Sequence, residues 1–185
     1  MAGHSKWAQI KRQKAVTDAA KSRAFSRFAR LIALESKASG GNVNSPSLKA
    51  VIDRAKAANM PKDNIERAVA KGMSKDAGDM ERVVYEAYGP GGTAIVVDAL
   101  TDSRNRTTQQ VKLIFTKNDI ELAAPGAAAW AFTKNPEGGY APNEPLVELS
   151  DEDGERLGKL LDALDEHDDV QAVYTNASGY ESTGD

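Results

Sequence analysis

The sequence predicts an α+β protein, an N-terminal three-helix bundle joined to a ferredoxin-like split βαβ two-layer domain. Two observations carry that prediction. Apolar residues recur with a period of about 3.6 as far as residue 72 and with a period of about two beyond it. Charge reverses at the same place. Residues 1–75 hold 16 Lys and Arg against 5 Asp and Glu, a net of +11, whereas residues 76–185 hold 8 against 22, a net of −14. The overall net charge of −3 conceals this division. The expected organisation is a basic helical domain over 1–75, a linker over 76–81, an acidic α/β domain over 82–176 and a disordered tail over 177–185.

Residues 1–16, MAGHSKWAQIKRQKAV, place Lys6, Lys11, Arg12 and Lys14 at no consistent helical angle. Such a segment is a mobile arm, or a helix formed on contact. Trp7 in this arm either stacks on a nucleobase or packs on the bundle. From Thr17, an N-cap, to about Ala38 the pattern is helical, with Phe25, Phe28 and Ile32 on one face. Arg23, Arg27 and Arg30 gather on the opposite side, so this helix is expected to turn an oily face to the core and an arginine stripe to solvent. Gly40-Gly41-Asn42 ends it. Ser45-Pro46 opens a second helix with Leu48, Val51, Ile52 and Ala55 inward. Asn59-Met60-Pro61 breaks to a third, with Ile65, Ala68 and Val69 inward and Gly72 as its stop.

Beyond the linker, Val83–Tyr88 and Thr93–Thr101 read as strands around the turn Gly89-Pro90-Gly91-Gly92. Asp102 or Ser103 caps a helix ending near Asn118. Ala127–Thr133 reads as a strand with Trp130 and Phe132 on one face, Pro136–Pro145 as a turn-rich connection and Leu146–Leu149 as a short strand. Ser150-Asp151-Glu152-Asp153 caps a helix bearing Leu157, Leu160, Leu161 and Leu164. Val170–Thr175 is the last strand.

Composition excludes several classes of function. The chain has no cysteine, which removes disulfides, thiolate metal sites and cysteine nucleophiles. No apolar run approaches the roughly 20 residues that span a bilayer, and the basic N-terminus lacks the apolar core of a secretory signal. A cytoplasmic protein is expected. Gly89–Gly92 is not followed by Gly-Lys-Ser/Thr and leads into a strand, so it reads as a hairpin turn and not a phosphate loop. Glu166, His167, Asp168 and Asp169 resemble a metal cluster only superficially, because they fall at a helix-to-strand turn. His4 beside Ser5 has no acid partner in sequence reach. No catalytic residue, cofactor site, metal site or small-molecule substrate is therefore expected. Ser103-Arg104-Asn105-Arg106-Thr107 lies at the start of a helix, where backbone N–H groups favour an anion. Ser103, Arg104, Arg106 and Thr107 there either hold a phosphate or a partner's carboxylate, or simply cap the helix with solvated arginines.

The opening Met-Ala-Gly-His-Ser-Lys-Trp-Ala-Gln-Ile-Lys resembles the start of the YebC/PmpR family. So do Asn59-Met60, Tyr85 through Ala94, Asp102 through Thr107 and Asp168 through Tyr174. The resemblance covers most of the chain in order. It implies a helical domain followed by two α/β domains and no enzymatic activity. It also implies a role in gene expression, because relatives are described as DNA-binding transcriptional regulators, and one is the mitochondrial translational activator of cytochrome c oxidase. This chain is a short form: where typical relatives carry a third domain, it has only Pro136–Pro145.

Two functional expectations follow, with a third from a different class. The first is a nucleic-acid-binding, DNA-binding transcriptional regulator that grips the phosphate backbone through Lys6, Lys11, Arg12, Lys14, Arg23, Arg27 and Arg30. The second is a translation factor that sets the same surface on ribosomal RNA. The third is a protein-interaction adaptor whose basic and acidic parts bind each other or mixed partners. None involves a membrane. The sequence leaves the oligomeric state open.

Overall fold

The structure, a computed structural model, describes residues 18–75, 78–136 and 138–180. Three helices make the first domain: α1 (Asp18–Ala38), α2 (Pro46–Ala57) and α3 (Lys62–Met73). They enclose Phe28, Ile32, Leu48, Ile52, Ala55, Met60, Ile65 and Ala68. Asn59, with φ of 62°, turns the chain between α2 and α3. Gly72 differs from its expected role. It lies inside α3 where that helix crosses α1, and a Cβ there would stand 2.3 Å from the Ala33 carbonyl oxygen and 2.8 Å from the Ser36 Cβ. Its missing side chain therefore sets the approach of the two helices, which Ser36 Oγ secures by donating to the Val69 carbonyl at 2.8 Å.

The second domain runs β1 (Glu81–Tyr88), β2 (Ala94–Thr101), α4 (Arg104–Lys117), β3 (Leu122–Ala123), β4 (Phe132–Lys134), β5 (Tyr140–Pro142), α5 (Asp151–Asp165) and β6 (Val170–Thr175). Strand β1 thus starts within the stretch expected to be linker. The main sheet has the order β3-β1-β2-β6, with every neighbouring pair antiparallel. The α+β class holds, and β2, α4 and β3 straddle β1 as a split βαβ unit. Helices α4 and α5 cover one face, packing Val111, Phe115, Leu157, Leu160, Leu161 and Leu164 against Val83, Tyr85, Ile95 and Val97. The β4–β5 hairpin and the turn before it cover the other face through Phe132, Ala128 and Ala131 against Ala94, Val96 and Tyr174. With both sides covered, all eight residues of β2 are buried. The β1–β2 turn needs Gly91, whose φ is +67° and where a Cβ would meet Leu149 Cδ2 at 2.3 Å.

Three segments depart from the pattern expected of them. Ala127–Thr133 is not one strand but a 3-10 turn over Ala129–Ala131 followed by β4. The buried Glu86 carboxylate accepts the N–H groups of Gly126, Ala128 and Ala129 at 2.7, 2.7 and 2.8 Å. Converging three donors on one side chain requires a coiled backbone. Trp130 is consequently 69% exposed while Phe132 is buried. Leu146–Leu149 reduces to a single parallel bridge, Val147 with Ala177. Residues 177–180, expected to belong to a tail, pack against the α/β domain. Asn176 Oδ1 accepts the Ala94 N–H at 2.8 Å, and Ala177 and Tyr180 join the core under α5. Tyr180 fits because Gly154 leaves room: a Cβ there would meet its hydroxyl at 2.6 Å.

The helical core and the two α/β cores share no residue. Leu161→Ala is therefore expected to cost the α/β domain about 2–5 kcal/mol, while amide protection in α1, α2 and α3 measured by hydrogen exchange stays unchanged.

Candidate nucleic-acid interface

Arg27 and Arg30 are one helical turn apart on the side of α1 opposite Phe28 and Ile32, and Lys37 continues the same row. This row does not face solvent. Arg27 Nη2 donates to the Asp165 carbonyl at 2.5 Å and to Asp165 Oδ1 at 3.1 Å. Arg30 Nη1 donates to the Leu100 carbonyl at 3.2 Å and to the Asp169 carboxylate. Lys37 pairs with Asp79. The arginine side chains retain 15% and 28% of their exposure. The expectation of a solvent-facing stripe is thus corrected for Arg27 and Arg30. The physical reason is the neighbour: an acidic domain tethered by a few residues presents its carboxylates at high effective concentration. Arg23, one turn before Arg27, is half-buried and pairs with no carboxylate among the described residues. Lys6, Lys11, Arg12 and Lys14, together with Trp7 and Thr17, lie outside the described residues.

Asp169 is the hub. Besides Arg30 it accepts Thr107 Oγ1 at 2.6 Å and Arg106 Nη2 at 3.1 Å. Burial by itself raises its pKa, but hydrogen bonds from Arg30, Thr107 and Arg106 outweigh that and hold it down to about 2. Arg106 also reaches Asp102 at 2.8 Å. His167 stands beside the hub: its Nδ1 accepts the Asp169 N–H at 3.1 Å, and its Nε2 lies 2.9 Å from Gln110 Oε1. Burial pushes the imidazole pKa down. The neutral tautomer protonated on Nε2 satisfies both bonds.

The Ser103–Thr107 segment therefore does meet an anion, but it belongs to this chain. Arg106 and the fully buried Thr107 are engaged by Asp169, while Arg106 keeps 47% of its side-chain exposure. The Ser103 N–H donates to Thr101 Oγ1 at 2.9 Å, and its hydroxyl makes no capping bond. Arg104 stands apart, 3.8 Å from Glu81. Asp79, Asp165 and Asp169 are the residues that sequence reasoning missed as partners of the stripe. The available signal was the crowding of Asp162, Asp165, Glu166, Asp168 and Asp169 into the end of one helix and its turn.

What faces outward is a second set of cations. Lys21, Lys56, Arg67, Lys71 and Lys75 are exposed and make no ion pair with a carboxylate among the described residues. Lys49 and Lys62 pair along their own helices with Asp53 at 3.2 Å and Glu66 at 3.5 Å, contacts weak enough to yield to a phosphate. Arg54 lies 5.9 Å over the Phe28 ring. A cleft of about 650 Å³ separates the two domains, with Arg30, Lys71, Arg106 and His167 among its walls. Among the described residues, no helix is long and apolar enough to cross a membrane, and no group of three or more His, Asp or Glu could hold a metal.

Residues 5–75 match the TACO1/YebC protein N-terminal domain, and residues 80–137 and 134–177 match the TACO1/YebC second and third domain. A probable transcriptional regulatory protein of Nostoc sp. is 41% identical over 191 residues, covering 98% of this chain and 73% of that protein. Another, of Pelotomaculum thermopropionicum, is 34% identical and covers 95% of this chain and 98% of its own length. That alignment runs to 238 positions, more than the 185 residues here, so the relative carries internal residues without counterpart in this chain. The two matched pieces of the second domain meet at 134–137, the tip of the β4–β5 hairpin. Among solved structures, a conserved hypothetical protein from Aquifex aeolicus superposes with a TM-score of 0.77 at 30% identity, over 87% of this chain and 91% of that one.

Both titratable groups at the hub bind protons more readily in the unfolded chain, so acid weakens the folded state through each. His167 contributes stability present above about pH 6.5 and lost as pH falls below it. Asp169 contributes stability present above about pH 4 and lost as pH falls towards 2. A pH series of denaturant unfolding should show both losses, and His167→Asn should remove the first alone.

Proposed function

The chain belongs to the TACO1/YebC family, and on that premise we propose that it is a non-enzymatic, DNA-binding regulator of transcription whose helical domain grips the phosphate backbone. The names of its relatives support the regulatory role. The outward set Lys21, Lys56, Arg67, Lys71 and Lys75 is the observation that carries the grip. These side chains lie on or beside three short helices with no carboxylate to neutralise them, in a domain that holds 16 of the chain's 24 Lys and Arg. The cations Lys6, Lys11, Arg12 and Lys14 of the N-terminal stretch, together with Arg23, add positive charge to the same domain. Contacts of this kind position a duplex without reading its sequence.

A second reading rests on the acidic α/β domain. Residues 76–185 carry a net charge of −14 and are repelled by a long duplex, which favours a translation factor that seats the same cations on ribosomal RNA and turns the acidic layer away.

If about six cations neutralise phosphates, log K falls with log salt at a slope near −5, and affinity drops on the order of a thousandfold between 50 and 200 mM. Titration of labelled duplex DNA across that range checks this, and a slope near zero refutes the grip. Competition between duplex DNA and structured ribosomal RNA at fixed salt separates the two readings. Replacing Lys56, Arg67 and Lys71 together by Ala should weaken binding and reduce the slope by about 3.

A further inference from the structure

The stripe on α1 is chemically suited to a phosphate backbone, yet it is occupied by carboxylates of its own chain. We propose that this docking is a reversible lock: nucleic-acid phosphates displace Asp79, Asp165 and Asp169 from Lys37, Arg27 and Arg30, and the two domains part. The proposal rests on the nucleic-acid reading above and adds to it how that surface is regulated.

Three observations carry it. First, among the described residues no buried apolar cluster spans the domains: each of the three draws all its residues from one side. The joint is held by charge, with Arg27 and Arg30 also donating to two backbone carbonyls. Joints of partly exposed ion pairs are screened by salt, unlike apolar ones. Second, the guanidinium fork fits carboxylate and phosphate oxygens alike, so a polyanion competes for the same N–H groups without new geometry. Third, the carboxylates are delivered by a short tether after α3, which makes them effective competitors until many phosphates arrive together.

A ligand shifts a two-state equilibrium only by its differential affinity for the two states. Here the difference is explicit. The parted form offers Arg27, Arg30 and Lys37 in addition to the outward cations, and the docked form does not.

The chain has no cysteine, so Ala57→Cys on α2 and Lys159→Cys on α5, both exposed, give a clean pair for spin labels. The expected result is that duplex DNA lengthens the distance between labels. In unlabelled protein, Asp79→Asn with Asp165→Asn should bind the duplex about fivefold more tightly at fixed salt. Asp79 is 96% exposed and Asp165 ends its helix, so neither change disturbs a core. Binding with an unchanged distance and no gain for the double variant would overturn the lock while leaving the nucleic-acid reading standing. Failure of both wild type and double variant to bind either duplex DNA or ribosomal RNA would overturn the two together.

Discussion

Asp169 gathers Arg30 from one domain and Arg106 and Thr107 from the other onto a single carboxylate, and the relation between the domains depends on that convergence. Each domain builds a complete core from its own segment: Phe28, Ile32 and Leu48 in the bundle, Phe115, Leu157 and Leu161 under the sheet. With no buried apolar cluster shared among the described residues, their relative placement rests on the ion pairs between them. A carboxylate buried this deeply is unfavourable unless donors surround it. Two of its donors, Arg106 and Thr107, come from its own domain and the third, Arg30, from the helical domain, so docking completes a set that the α/β domain begins.

The fold was legible to the extent that its periodicities were long. The three helices of the bundle and the leucine row of α5 announce themselves through repeated spacing, and Ser150 caps α5 by accepting the Asp153 N–H as its sequence suggests. Short or composite elements escaped. Strand β3 is only Leu122 and Ala123, too brief for any period to register. The alanine run before β4 is shaped by Glu86, a residue some forty positions away in sequence. Tyr180 sits in a segment whose composition is polar, and its burial is made possible by a glycine in α5. In each case the deciding partner is distant along the chain.

The candidate site was legible in kind and not in orientation. Charge division between residues 1–75 and the remainder identified both a cationic module and an acidic one. It did not say that the two would face each other. Helical spacing placed Arg27 and Arg30 opposite the core correctly, but an amphipathic helix in a two-domain protein has two neighbours to choose between, solvent and the other domain. Lys56 and Arg67 stay outward because α2 and α3 pack their other faces inward against α1. Charge on a helix is informative about partners only once its direction is known.

The β4–β5 hairpin has a consequence of a different kind. Its three paired positions hold Lys134 beside Tyr140, and the Asn135 N–H closes the turn by donating to the Gly139 carbonyl at 2.8 Å. A chain leaving at one of those ends and returning at the other would satisfy the same sheet, since lengthening a loop between adjacent ends costs little. The tip can therefore accept a longer connection while the scaffold beneath it goes on folding as before.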